Sequence, residues 1–154
     1  MVKKLFLLRH GHDVSGFNMR DYDRTLSSQG VSVISSLSER LSLEDFNVDL
    51  ILCSPAIRTM QTCDIMTEGL KYPGKVEYIN AIYEATTQQL FLLINQLDDS
   101  IDSVLLIGHN PGISYLCDYL QGTNHTEMAP GELIGITMEV ERWSEVSKGI
   151  GLSL

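Results

Sequence analysis

Arg9 and His10 stand side by side where the apolar run Leu5-Phe6-Leu7-Leu8 ends, and Gly11 follows them. An imidazole titrates near pH 6.5, so at neutral pH one ring nitrogen carries a lone pair able to attack phosphorus. A guanidinium stays charged throughout and presents a planar fork of donors that matches phosphoryl oxygens. A second pair has the same character: His109 closes the run Val104-Leu105-Leu106-Ile107-Gly108, and Arg58 follows Leu50-Ile51-Leu52-Cys53 by a few residues. Brought together, these four side chains would suit transfer of a phosphoryl group to His10. Arg9 and Arg58 would grip the equatorial oxygens, and a protonated His109 would offset the developing charge. Gly11 is a further candidate for phosphate binding.

Taken one at a time, each residue has a commonplace use: a histidine after a strand is usually structural, and an arginine usually pairs on the surface. Their positions argue otherwise. Continuous apolar runs alternate with segments of helical period, the signature of a largely parallel sheet covered on both faces, and strands are placed near residues 3–9, 48–53, 75–79 and 103–108. This pattern predicts an α/β fold, a three-layer αβα arrangement with a mostly parallel central sheet. Strands near 132–140 and 149–153 would add an antiparallel C-terminal edge. Arg9-His10, Ser54 to Arg58, Glu84 and His109 then all follow C-terminal ends of strands, where ligands gather in open α/β sheets.

The helices have their own signals. One begins near Ser27, with Val33, Leu37 and Leu41 facing inward. Ser54-Pro55 reads as N-cap and first-turn proline of a second helix, with Ala56, Met60 and Cys63 at helical spacing and Gly69 at its stop. A third is marked by Leu90, Leu93, Ile94 and Leu97 with Thr86 or Thr87 as cap. The fourth has Asn110 as cap, Pro111 in the first turn, and Gly122 at the end. The polar segment from Asp13 to Leu26 reads as a long functional loop.

Composition bounds the remaining possibilities. At 154 residues the chain has the size of one domain, spanning 1–154. A formal charge of -9 excludes a broad nucleic-acid surface, so attraction to phosphate must be local. Cys53, Cys63 and Cys117 are odd in number, lie in or beside apolar runs and form no C-x-x-C pair, which fits reduced core thiols and a cytoplasmic setting. The apolar run after Lys3-Lys4 is too short for a signal peptide, and no segment can span a membrane. His12 and His125 fall in loops, and no cluster has the ligand spacing of a zinc site, so neither metal nor cofactor is expected.

Leu7-Leu8-Arg9-His10-Gly11, Asp23-Arg24-x-Leu26 leading to Gly30, Cys53-Ser54-Pro55-x-x-Arg58-x-x-Gln61-Thr62, Ile82-Tyr83-Glu84-Ala85 and Leu106-Ile107-Gly108-His109-Asn110-Pro111-Gly112 appear in the order found in the histidine phosphatase superfamily, which has the phosphoglycerate mutase-like fold. The chain resembles that family over most of its length. In size and in the G-H-N-P-G segment it is most similar to the compact bacterial phosphohistidine phosphatases. The resemblance implies a metal-independent phosphatase domain with His10 as nucleophile and Arg9, Arg58 and His109 as the phosphate pocket. It further implies phosphohistidine of signalling proteins as substrate. Two departures stand out: His12-Asp13 follows Gly11 where many members carry Glu with a small or hydroxyl residue, and only Glu84 is available as general acid. A small-molecule phosphomonoesterase is the alternative, and a non-catalytic reader of phosphorylated ligands is a third.

Overall fold

The computed structural model describes every residue of the chain except Ser15 and Phe17. Among the described residues six strands form one sheet: β1 (Lys3–Arg9), β2 (Leu50–Cys53), β3 (Lys75–Tyr78), β4 (Ser103–Gly108), β5 (Leu133–Met138) and β6 (Leu152–Ser153), in the order β3-β2-β4-β1-β5-β6. The first four run parallel, while β5 lies antiparallel to β1 and β6 antiparallel to β5. This is the mostly parallel sheet with an antiparallel C-terminal edge that the apolar runs predict.

Period-two alternation divides the strand residues between two cores. Leu5, Leu7, Leu50, Leu52, Val104 and Leu106 point to one face. There they meet α3 (Thr87–Asn95) and α4 (Gly112–Gln121) through Leu90, Ile94, Ile113, Leu116 and Leu120. Leu8, Ile51, Cys53, Leu105 and Ile107 point to the other, against α1 (Ser28–Leu43) and α2 (Ile57–Leu70) through Ile34, Leu37, Leu41, Cys63 and Met66. A strand covered on both faces has no solvated side to carry polar residues, so its sequence is a continuous apolar run. The fold is therefore the three-layer αβα sandwich.

Details of the helices differ from expectation. In α1 the buried stripe is Gly30, Ile34, Leu37, Ser38 and Leu41, and Val33 is 43% exposed; the apolar phase is set by Ile34, one position later. Ser27 caps α1 as expected, accepting from the Gly30 N–H. In α2 the N-cap is Ala56 rather than Ser54, whose hydroxyl lies 2.7 Å from His109 Nε2 and accepts from the Ala56 N–H at 3.4 Å; Met60 faces outward, and the helix runs past Gly69 to Leu70, where Lys71 takes the left-handed conformation. Thr86 caps α3 through a reciprocal capping box with Gln89. The N-cap of α4 is Pro111, and Asn110 instead accepts from the Ser114 hydroxyl and donates to the Met128 carbonyl. Gly122 ends α4 at φ 70°.

Candidate active site

Parallel register sets the neighbours first. Arg9 pairs with Gly108 at the ends of β1 and β4, so the next residues along each strand, His10 and His109, emerge beside one another. Their ring centroids lie 5.3 Å apart. Both side chains are more than nine-tenths buried, as is Arg58 in the first turn of α2.

The tautomer of His10 is set by its partners. Its Nδ1 sits 2.7 Å from the Gly11 carbonyl, which can only accept, so Nδ1 carries the proton. Its Nε2 lies 3.3 Å from Arg58 Nε, which can only donate, so Nε2 presents the lone pair. Burial, joined by the charges of Arg58 and Arg9, lowers the His10 pKa to about 4. The ring is neutral at pH 7. Gly11 is spent on this arrangement: its carbonyl fixes the imidazole and its N–H donates to Thr62 Oγ1 at 3.1 Å.

His109 places Nε2 at 2.7 Å from the Ser54 hydroxyl. Burial, then the neighbouring Arg58 and His10, lowers its pKa to about 3. The ring is therefore neutral in the open pocket, in contrast to the protonated imidazole that the sequence suggests; a dianionic ligand is what would favour its charging. The ring of Tyr83 stands edge-on to it at 5.4 Å. Arg9 donates from Nη1 to the Met128 carbonyl at 2.8 Å. Among the described residues, two buried side-chain polar atoms lack a hydrogen-bond partner: Arg9 Nε and His109 Nδ1.

Arg58 is not idle. Its Nη1 donates to the Asp21 carbonyl at 2.7 Å and its Nη2 to Asp21 Oδ2 at 3.1 Å, while Nε lies 3.4 Å from Asp13 Oδ2. The Tyr83 hydroxyl donates to the same Asp21 Oδ2 at 2.6 Å, and Arg24 bridges Asp13 and Asp21 at 3.0 and 3.2 Å. The Tyr83 hydroxyl, ahead of Arg58, holds the Asp21 carboxyl down to about 2. Asp13 and Asp21 thus lie against Arg58, Asp13 held by a bridge to Leu26 and Asp21 by the short 3₁₀ turn Asp21–Asp23.

Sequence reasoning did not single out Asp13, Asp21 and Tyr83 at this site. The available signal was the concentration of Asp13, Asp21, Asp23, Arg20 and Arg24 in one polar loop. Glu84 lies at the rim, exposed, with φ 56°, a left-handed backbone that costs a non-glycine residue about 1–2 kcal/mol. It lines a cavity that His109 also lines.

The family model of the histidine phosphatase superfamily (branch 1) matches residues 5–90. The chain belongs to the histidine phosphatase superfamily. That stretch contains Arg9, His10, Arg58 and Glu84. An uncharacterized protein of Mycobacterium tuberculosis is 28% identical over 127 residues, covering 82% of this chain and 78% of that protein. Phosphohistidine phosphatase SixA of Escherichia coli is 25% identical over 131 residues, 84% of this chain and 76% of SixA. The protein histidine phosphatase SixA complexed with tungstate superposes with a TM-score of 0.79 at 22% identity, over 98% of this chain and 94% of that one, a likeness of fold. Superfamily membership and fold together support phosphatase activity on phosphorylated substrates. No helix among the described residues is long and apolar enough to cross a membrane.

Proposed function

We propose that the protein is a phosphatase working through a covalent phosphohistidine at His10, with phosphohistidine of proteins as its substrate. The carrying observation is that the two unpartnered buried polar atoms, Arg9 Nε and His109 Nδ1, belong to the very cluster assigned to phosphate. Such an atom costs about 1–3 kcal/mol unless something bonds it, and a tetrahedral anion would bond both. Arg58 supplies the charge beside the nucleophile, 3.3 Å from Nε2.

The reaction has two displacements. His10 Nε2 forms a bond to phosphorus as the substrate's P–N bond breaks, and a substrate imidazole protonated on its other nitrogen leaves as the neutral base. His10 then carries phosphorus on Nε2 and the proton on Nδ1, its positive charge facing the Gly11 carbonyl. Water next attacks phosphorus, its proton passes to the departing phosphate, and His10 returns neutral. Both steps share one clamp of Arg9, Arg58 and His109.

The carboxylates nearest His10 favour an amine leaving group. Asp13 and Asp21 are paired with arginines, and Asp21 is a poor proton donor with its pKa near 2. An alkoxide needs a proton as it departs, and Glu84 is the group available to supply it; an imidazole needs none. That Glu84 lines the same cavity as His109 keeps the small-molecule phosphomonoesterase as the second reading.

The test is a comparison of initial rates on a phosphohistidine peptide, p-nitrophenyl phosphate and a panel of sugar phosphates. Preference for the phosphohistidine peptide supports the proposal. Preference for a sugar phosphate replaces it with the second reading, and anion binding without turnover of any substrate would make the protein a reader.

A further inference from the structure

The cavity that opens beside His109 has a volume of about 710 Å³. This far exceeds what a phosphoryl group fills and lies in the ordinary range of small-molecule sites. Its walls are mainly apolar. Phe91 and Tyr119 form one side, their rings 5.0 Å apart, and Pro111 and Tyr115 form another, with Tyr115 59% exposed at the mouth. The sole carboxylate on the lining is Glu84, and the lining contains no Lys, Arg or Asp.

We infer that this cavity seats the leaving group, that it takes a flat aromatic or heteroaromatic ring which is neutral or positively charged, and that it rejects anionic leaving groups. The inference rests on the phosphatase reading above and adds what the enzyme discriminates between. His109 belongs to both the phosphate cluster and the cavity wall, so a group attached to the bound phosphorus enters the cavity directly. The aromatic walls reward an apolar ring with stacking and burial, and Thr86, Thr87 and Gln88 line the cavity beside Glu84. The Glu84 carboxylate repels a second negative charge at short range and attracts an imidazolium or a basic neighbour in a peptide.

A neighbouring groove, which shares Asn110, Pro111 and Tyr115 with this cavity, differs in character. Its volume is about 580 Å³, and it is lined also by Arg9, His125, Thr126 and Glu127 and is polar. The selectivity for a ring therefore belongs to the side of His109, not to the whole mouth of the site.

Direct binding to the full chain, read by calorimetry, tests this without relying on turnover. The probes are methylphosphonate, phenylphosphonate and phosphonoacetate, which share the phosphonate group and differ only in its carbon substituent. Phenylphosphonate is expected to bind about tenfold more tightly than methylphosphonate, the worth of burying one ring. Phosphonoacetate is expected to bind more weakly than methylphosphonate. Tyr115→Ser should shrink the phenyl advantage to about threefold or less, and Glu84→Gln should tighten phosphonoacetate about threefold while moving phenylphosphonate less.

Equal affinities for the phenyl and methyl compounds in the wild-type chain would overturn the inference, whatever the variants do. If the phosphohistidine peptide is nevertheless turned over, the phosphatase reading stands and the cavity assignment alone falls. Failure of every phosphonate to bind, together with absence of turnover, would bring down both.

Discussion

Asp21 holds Arg58 by both terminal nitrogens, with its backbone carbonyl on Nη1 at 2.7 Å and its carboxylate on Nη2 at 3.1 Å. The guanidinium proposed to clamp phosphate is thus already gripped by a loop carboxylate, and an incoming anion must displace or share that contact. The Asp21 side chain is half-exposed, so the pair is a modest barrier, in the range of about 0.2–1 kcal/mol for solvent-accessible pairs.

Asp21→Asn should therefore tighten vanadate binding about two- to fivefold at low salt, with the gain shrinking as ionic strength rises. Vanadate inhibition curves measure it. Weaker inhibition in the variant would show that Asp21 preorganises Arg58 rather than competing for it.

Acid should destabilise the protein through its two buried histidines. His10 and His109 have folded-state pKa values near 4 and 3, below the ordinary 6.5 of an unfolded histidine. Between those limits the unfolded chain binds more protons, so stability is full above pH 6.5 and falls as pH drops toward 4. Asp21, lowered to about 2, adds its own loss only below about pH 4. Thermal melts from pH 7.5 to 4.5 should show a falling Tm, with a shallower slope in His109→Gln; a flat profile would contradict the buried neutral pair.

Glu84→Gln should cut turnover of an alkyl phosphate about a hundredfold, the low end of what general acid catalysis contributes, and change turnover of the phosphohistidine peptide by no more than about threefold, the worth of an exposed charge. Rates on the two substrates in parallel decide it. Equal losses on both would mean that Glu84 positions the site instead of donating a proton.

Much of this architecture was legible in the chain because burial writes itself into composition. Strands β1, β2 and β4 are enclosed on both faces, so Leu5 to Leu8, Leu50 to Cys53 and Val104 to Ile107 could hardly be anything else. Placing Arg9, His10 and His109 at adjacent strand ends came from the parallel order. Local signals misled where a residue answers to a distant partner. Ser54 has the chemistry of a helix cap, but its hydroxyl serves His109, 55 positions away. Val33 matched the apolar stripe of α1, yet Ile34 lies inside. The ties from Asp21 to Arg58 and Tyr83 span 37 and 62 positions, and no periodicity reports them.

The most direct test of the central claim is to trap the phosphoenzyme. The chain is mixed with a phosphohistidine peptide, quenched rapidly in base, and the phosphorylated residue and nitrogen are identified by mass spectrometry and phosphorus NMR. Because the Gly11 carbonyl occupies Nδ1, the account predicts phosphate on Nε2 of His10, labile to acid and stable to base, with neither label nor turnover in His10→Ala. Phosphate on another residue or on Nδ1, or ordinary turnover by His10→Ala, would contradict it.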